Sequence, residues 1–228
     1  MFVKTVFLIM AFSLLTFNGF SQSVRSPFDE NQIIATDSLI TSGQAPRLSV
    51  AQVISGSRNY ANKQKRDQAL IDGVSSAVNA DDVIRLAGNC YYAKNGDAVI
   101  VAGLNIAKNI DDILALANKC RFAPSKDAVL RRGMDLAKSI PDFVRLATNV
   151  PASSGIFKDE ILVTGSEKAT DVSDIVDLAL HASAVTRDNI LLSGLKLAHF
   201  ENEFQRLANN AHSPEIRNYI LSQRSSVE

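Results

Sequence analysis

The sequence predicts an all-α fold built from a repeated pair of helices. Three observations carry that expectation. Asp67, Asp97 and Asp127 are spaced by exactly one thirty-residue period, and so are Gly73, Gly103 and Gly133. The glycine series continues at Gly165 and Gly194, with steps of 32 and 29. A Leu-Ala pair recurs at Leu86-Ala87, Leu116-Ala117, Leu146-Ala147, Leu178-Ala179 and Leu207-Ala208, with the same slips in the same places. Two independent landmarks that share their insertions define an internal repeat.

Taken in chain order, residues 1–21 read as an address label. Lys4 is the only charge ahead of the apolar run Val6–Phe17, and Asn18-Gly-Phe-Ser21 follows. This is the layout of a secretory signal peptide, with Gly19 and Ser21 at the −3 and −1 positions of the cleavage site. The run is too short for a membrane anchor and lacks a basic stop-transfer flank. A periplasmic or secreted product is expected. Five of the eleven Phe residues (Phe2, Phe7, Phe12, Phe17 and Phe20) fall in this segment, and the chain has no Trp. The mature protein is therefore poor in aromatic rings on which bases or sugars stack. Residues 22–48 carry Ser, Pro, Gln and Asn without period, so an extended leader is expected there, with a turn of helix around 30–35.

The repeat domain is expected over 49–228. Ser49-Val-Ala-Gln52 has the form of a capping box and opens a starting helix at 49–61. In each unit the first helix is typified by Asp127–Lys138, whose apolar residues Val129, Leu130, Met134 and Leu136 recur at helical spacing. The second helix starts at Asn79-Ala-Asp-Asp82, Asn109-Ile-Asp-Asp112, Ser139-Ile-Pro-Asp142 and Asp171-Val-Ser-Asp174. There a cap oxygen accepts a free backbone N–H, and an acid three residues on suits the positive helix end. Pro141 sits in the first turn, where its missing N–H breaks no bond. The glycines are expected in mid-helix, where each costs up to about 1 kcal/mol relative to Ala. Close approach of neighbouring helix backbones is the reason expected for them. A last helix at 214–223 puts Gln223 where glycine stood before, as a terminal capping unit should.

These residues resemble an α-solenoid of short HEAT-like repeats over 49–223. The match is a first helix, a tight turn such as Ile110-Asp111-Asp112 or Ile140-Pro141-Asp142, and a second helix ending in Leu-Ala. The tetratricopeptide and ankyrin patterns are absent. The resemblance implies a right-handed α-solenoid of about five helical hairpins plus capping helices. It also implies a protein-binding scaffold; a few relatives are lyases or chaperone-like carriers.

Composition narrows the function classes. Lys+Arg and Asp+Glu are equal at 24 each, and hydrophobic residues make up 46%. Disorder and nucleic-acid binding through global charge are both disfavoured. Two Cys exclude a disulfide scaffold and any zinc site with three or four thiolates. Cys90 and Cys120 share a slot that later repeats fill with Val150, Ala182 and Ala211. They read either as small buried hydrophobes or as a disulfide between adjacent repeats. His181, His199 and His212 lack helical metal-site spacing, and no cofactor or metal is implied.

Asp82/Arg85, Asp142/Arg145 and Glu203/Arg206 are i, i+3 pairs that solvate a helix face. The same column gives the candidate binding set Arg85, Ala115, Arg145, Asp177 and Arg206, a ladder of varying charge able to read a partner protein or extended peptide. Lys63-Gln-Lys-Arg66 reads as an exposed turn. The leading expectation is a non-enzymatic, exported scaffold binding a protein or peptide and no nucleic acid. The alternatives are a cell-envelope enzyme or accessory of hydrolase or lyase type, and a structural envelope component.

Overall fold

A computed structural model describes residues 47–224; the expected signal peptide and all but the last two residues of the leader lie outside them. Twelve α-helices and four short 3-10 turns make up the described residues, with no strand among them. In order the helices are α1 (Val50–Ser57), α2 (Lys63–Asp72), α3 (Ala80–Gly88), α4 (Ala93–Ala102), α5 (Ile110–Ala117), α6 (Ala123–Leu136), α7 (Ile140–Thr148), α8 (Gly155–Ser166), α9 (Val172–His181), α10 (Ala184–Ser193), α11 (Glu201–Asn210) and α12 (Pro214–Gln223). All belong to the compact unit Gln44–Glu228.

The odd-numbered helices begin where the capping signatures stand. Asn79, Asn109 and Asp171 each accept the N–H three residues on, at 2.9 Å, from Asp82, Asp112 and Asp174. The paired acid reaches past the cap to the preceding amide. Asp82 accepts from Val78 N–H at 3.2 Å, Asp112 from Lys108 at 2.9 Å and Asp174 from Thr170 at 2.9 Å. Asp142 spans both amides, Lys138 at 3.0 Å and Ser139 at 3.1 Å. Burial raises the Asp142 carboxyl, but these bonds overcome it and hold the group below its ordinary value.

Each odd helix packs most extensively on the even helix that follows it, so α1 pairs with α2 and α11 with α12. The pairing runs opposite to the one the sequence suggests, and α1 is not an unpaired starter. The reason lies in the connections. Every odd helix but α7, which meets α8 through a 3-10 turn at Ala152–Ser154, turns directly into its even successor, whereas α2, α4 and α10 pass through a 3-10 turn before the next odd helix. Odd helices also pack in succession (α1, α3, α5, α7, α9, α11), and even helices do the same (α2 to α12).

The core lies between these two rows. Leu86, Leu116, Leu146, Leu178 and Leu207 are all fully buried, facing Leu70, Ile100, Leu130, Leu162 and Leu191 from the even row. Each such side chain contributes about 1.5–3 kcal/mol on burial. The recurring glycines end or nearly end the even helices rather than sitting in mid-helix as expected. What they approach is side chain, not backbone. A Cβ on Gly103 would lie 2.6 Å from Val83 Cγ2, and one on Gly133 would lie 2.6 Å from Leu146 Cδ2. Side chains of the odd row (Val53, Val83, Ile113, Phe143 and Ile175 of the preceding odd helix, joined at the later glycines by Leu146, Leu178 and Leu207 of the following one) fill the space a side chain would need.

Candidate functional site

The buried charged residues among those described are aspartates of the even helices. Asp67, Asp97 and Asp188 are buried, and each carboxylate accepts backbone N–H groups 24 and 25 residues further on. Asp67 takes Tyr91 at 2.7 Å, Tyr92 at 2.9 Å and the Asn95 amide at 3.0 Å. Asp97 takes Arg121 at 2.9 Å and Phe122 at 3.0 Å; Asp188 takes His212 at 2.7 Å and Ser213 at 3.0 Å. Each even helix thus caps the start of the next even helix. This explains how α4 and α6 begin at Tyr92 and Phe122, which offer no cap oxygen. The first member, α2, has no predecessor in the row and is capped locally by Asn62, which accepts from Gln64 and Lys65.

Two members vary the rule. Asp159 accepts from Ser183 N–H at 3.0 Å, the Ser183 hydroxyl and the Thr186 hydroxyl at 2.8 Å. Burial raises this carboxyl, yet those donors hold it below the ordinary value. For Asp127, position +24 is Pro151, which has no N–H. Asp127 keeps only the Ser154 hydroxyl at 2.5 Å, and its Oδ1 is buried without a partner. At the end of the series Arg217 stands where the acid would be, six residues before Gln223.

The column chosen from sequence lies on α3, α5, α7, α9 and α11, consecutive members of the odd row. Arg85 is exposed and meets Asp82 at 3.6 Å. Arg145 pairs with Asp111 of the preceding odd helix, and Arg206 donates to Ser173 Oγ of α9 at 2.7 Å. Ala115 is half-buried and Asp177 exposed. Arg145 and Arg206 therefore stitch neighbouring helices of the row, 34 and 33 residues apart, besides facing solvent.

Cys90 and Cys120 are both free and half-buried. The staple considered from sequence is not formed. Each thiol points back along its own chain, to Leu86 O at 3.8 Å and Leu116 O at 3.6 Å. Burial pushes both thiols up to about 12, and Asp67 or Asp97 adds to the shift. The two line a single cleft of about 380 Å³ between the ends of α3 and α5 and the start of α4. Its buried and half-buried lining includes Ile84, Ile100, Asp97 and the cysteines, and its exposed lining includes Tyr92, Lys119 and Arg121.

Gly96 lines the cleft. In the residue before the buried acid, the other repeats carry Arg66, Lys126, Lys158 and Arg187. Arg66 reaches Asn89 O at 3.1 Å and Arg187 reaches Ala179 O at 3.1 Å, so those side chains lie over the ends of odd helices. Gly96 leaves that space open. The column of cations broken by one glycine was visible in the sequence, but only once the buried acid defined the register.

Among the described residues, no group of three or more His, Cys, Asp or Glu is arranged to hold a metal ion. No described helix is long and apolar enough to cross a membrane. The chain matches no protein-family model and, at a significant level, no curated protein.

Proposed function

We propose that the chain is a right-handed α-solenoid, exported to the periplasm or secreted, that binds a partner protein or extended peptide along lines of equivalent residues. The observation that carries this reading is the pair of repeated links. The i to i+24 carboxylate–amide bond recurs along the even row, and the Arg145–Asp111 and Arg206–Ser173 contacts recur along the odd row. Similar links at most junctions between successive units favour a continuous stack in which one position of every repeat falls on a shared line. Such lines present extended, variable surfaces rather than one deep reaction centre. The candidate recognition line is Arg85, Ala115, Arg145, Asp177 and Arg206.

The test is affinity capture from a cell-envelope extract with Arg85→Glu/Arg145→Glu as control. Reproducible capture of one protein, lost in the variant at unchanged stability, supports the reading. Turnover of a cell-wall substrate with no captured protein refutes it in favour of an envelope enzyme. Small-angle scattering with the length-to-width ratio of a globule would refute the continuous stack.

A further inference from the structure

We propose that the edge formed by the turns before α2, α4 and α6 is a docking site for an acidic protein segment that inserts an apolar side chain into the cleft at Gly96. The inference rests on the scaffold reading and gives the chemical class of one partner.

The charge is the first argument. Residues 58–66, 89–95 and 118–126 hold eight Lys or Arg and no Asp or Glu. These are Arg58, Lys63, Lys65, Arg66, Lys94, Lys119, Arg121 and Lys126. The buried carboxylates of Asp67 and Asp97 and the half-buried one of Asp127 lie beneath and still leave five cations in surplus. The chain as a whole has none, with 24 of each sign. Among the described residues, every salt bridge lies elsewhere, at Arg85, Arg131, Arg132, Arg145 and Arg224. Folding explains only part of the placement: Arg66 reaches Asn89 O, and Arg58, Lys119 and Arg121 follow the ends of α1 and α5, where the helix dipole favours cations. Lys63, Lys65 and Lys94 occupy first turns of α2 and α4, where the helix dipole disfavours cations. The opposite edge follows the dipole, with Asp81, Asp82, Asp111, Asp112, Asp142 and Asp174 in first turns.

Continuity is the second argument. Asp67 on α2 holds the amides of the second turn, and Asp97 on α4 holds those of the third. The three turns therefore lie side by side as one edge, and the cleft opens between the second and third. Exposed rings stand among the cations: Tyr91 at 53%, Tyr92 at 44% and Phe122 at 48% relative exposure.

The cleft sets the occupant. Apolar Ile84 and Ile100 beside exposed Lys119 and Arg121 suit an apolar side chain flanked by carboxylates. Single-stranded nucleic acid, the other polyanion, wants open ring faces for stacking. Here Lys63 Nζ lies 3.8 Å over the Tyr91 ring and donates to the Tyr91 hydroxyl at 2.6 Å, and Tyr92 meets Tyr91 edge-on.

The experiment uses the purified full chain and fluorescence polarisation of a labelled twelve-residue peptide of Asp and Glu with one central Leu. Saturable binding is expected, weakening at least tenfold between 50 and 300 mM salt and again when Leu is replaced by Glu. Lys119→Glu/Arg121→Glu is expected to weaken it at least tenfold, whereas Lys168→Glu/Lys196→Glu, on the opposite edge, leaves it within twofold. Gly96→Arg is the decisive variant. It adds a cation, so charge alone would tighten binding, but it fills the cleft and is expected to weaken binding at least fivefold. A Cβ at 96 meets Ala87 O at 3.1 Å, so a thermal melt accompanies it. Should that variant unfold, the Leu-to-Glu peptide comparison decides the role of the cleft.

No binding, or equal binding by all variants, overturns the proposal. So does tighter binding of a twelve-nucleotide oligothymidylate, or salt-sensitive self-association abolished by Lys119→Glu/Arg121→Glu, which would make a second copy the occupant. If the peptide fails while the Arg85/Arg145 line still captures a protein, the docking edge falls and the scaffold reading stands.

Discussion

Replacing Asp97 with alanine removes the only side-chain acceptor among the described residues at the start of α6. The carboxylate is 2% exposed and takes the Arg121 and Phe122 N–H groups. Each buried donor left unpaired costs about 1–3 kcal/mol, and hydrogen bonds to charged groups contribute about 1.5–3 kcal/mol. Arg121 and Phe122 are themselves exposed, so water reaches their amides in the variant and the low end applies to each. Relief from burying a charge subtracts further. The expected loss is about 1–2 kcal/mol. Asp127→Ala is the internal control, because Pro151 has already removed the corresponding amide and one oxygen is orphaned. Its loss should stay near or below about 1 kcal/mol. Urea unfolding followed by circular dichroism gives the midpoints, and amide exchange at the start of α6 shows whether the change is local. Equal losses in the two variants would refute the idea that cross-repeat capping, rather than a generic buried charge, stabilises the even row.

Three further outcomes follow from the same geometry. Gly103→Ala should lose about 1–3 kcal/mol by overpacking against Val83, whereas Gly88→Ala, whose Cβ meets nothing within 4 Å, should gain up to about 1 kcal/mol in thermal denaturation. Asp142 and Asp159 titrate below their ordinary value in the folded chain, so their stabilisation is full above the unfolded carboxylate pKa and is lost as pH falls through the folded one. Urea midpoints should therefore hold from neutral pH to about 5 and drop below about 4, with a shallower acid limb in Asp159→Asn. Cys90 and Cys120, pushed up to about 12, should alkylate far more slowly than a free thiol at pH 7.5 until urea exposes them, as mass spectrometry of iodoacetamide adducts would show.

The cross-repeat caps explain what the thirty-residue period conserves within the chain. Leu-Ala and glycine keep the two rows in contact, while the aspartate ties each even helix to its successor. At the 32-residue step Pro151 occupies the amide position, the two extra residues follow it, and the tie weakens to a single hydroxyl. The column Arg85 to Arg206 was legible as a line because its spacing follows the Leu-Ala landmark. That Arg145 and Arg206 reach back to Asp111 and Ser173 was not, since the partners sit 34 and 33 residues away on another helix.

By itself the sequence determined the helices and their order, because capping oxygens, first-turn acids and apolar spacing act within a few residues of one another. The last helix falls on 214–223 as the pattern requires. Only the tertiary structure decided which helix each one pairs with, what the glycines face and what Asp67, Asp97, Asp127, Asp159 and Asp188 are for. It also decided that the thiols stay apart and that Gly96 lines a cleft on a cationic edge. Those properties depend on groups some 24 to 34 residues apart meeting in space, and a local pattern marks such positions without revealing their partners.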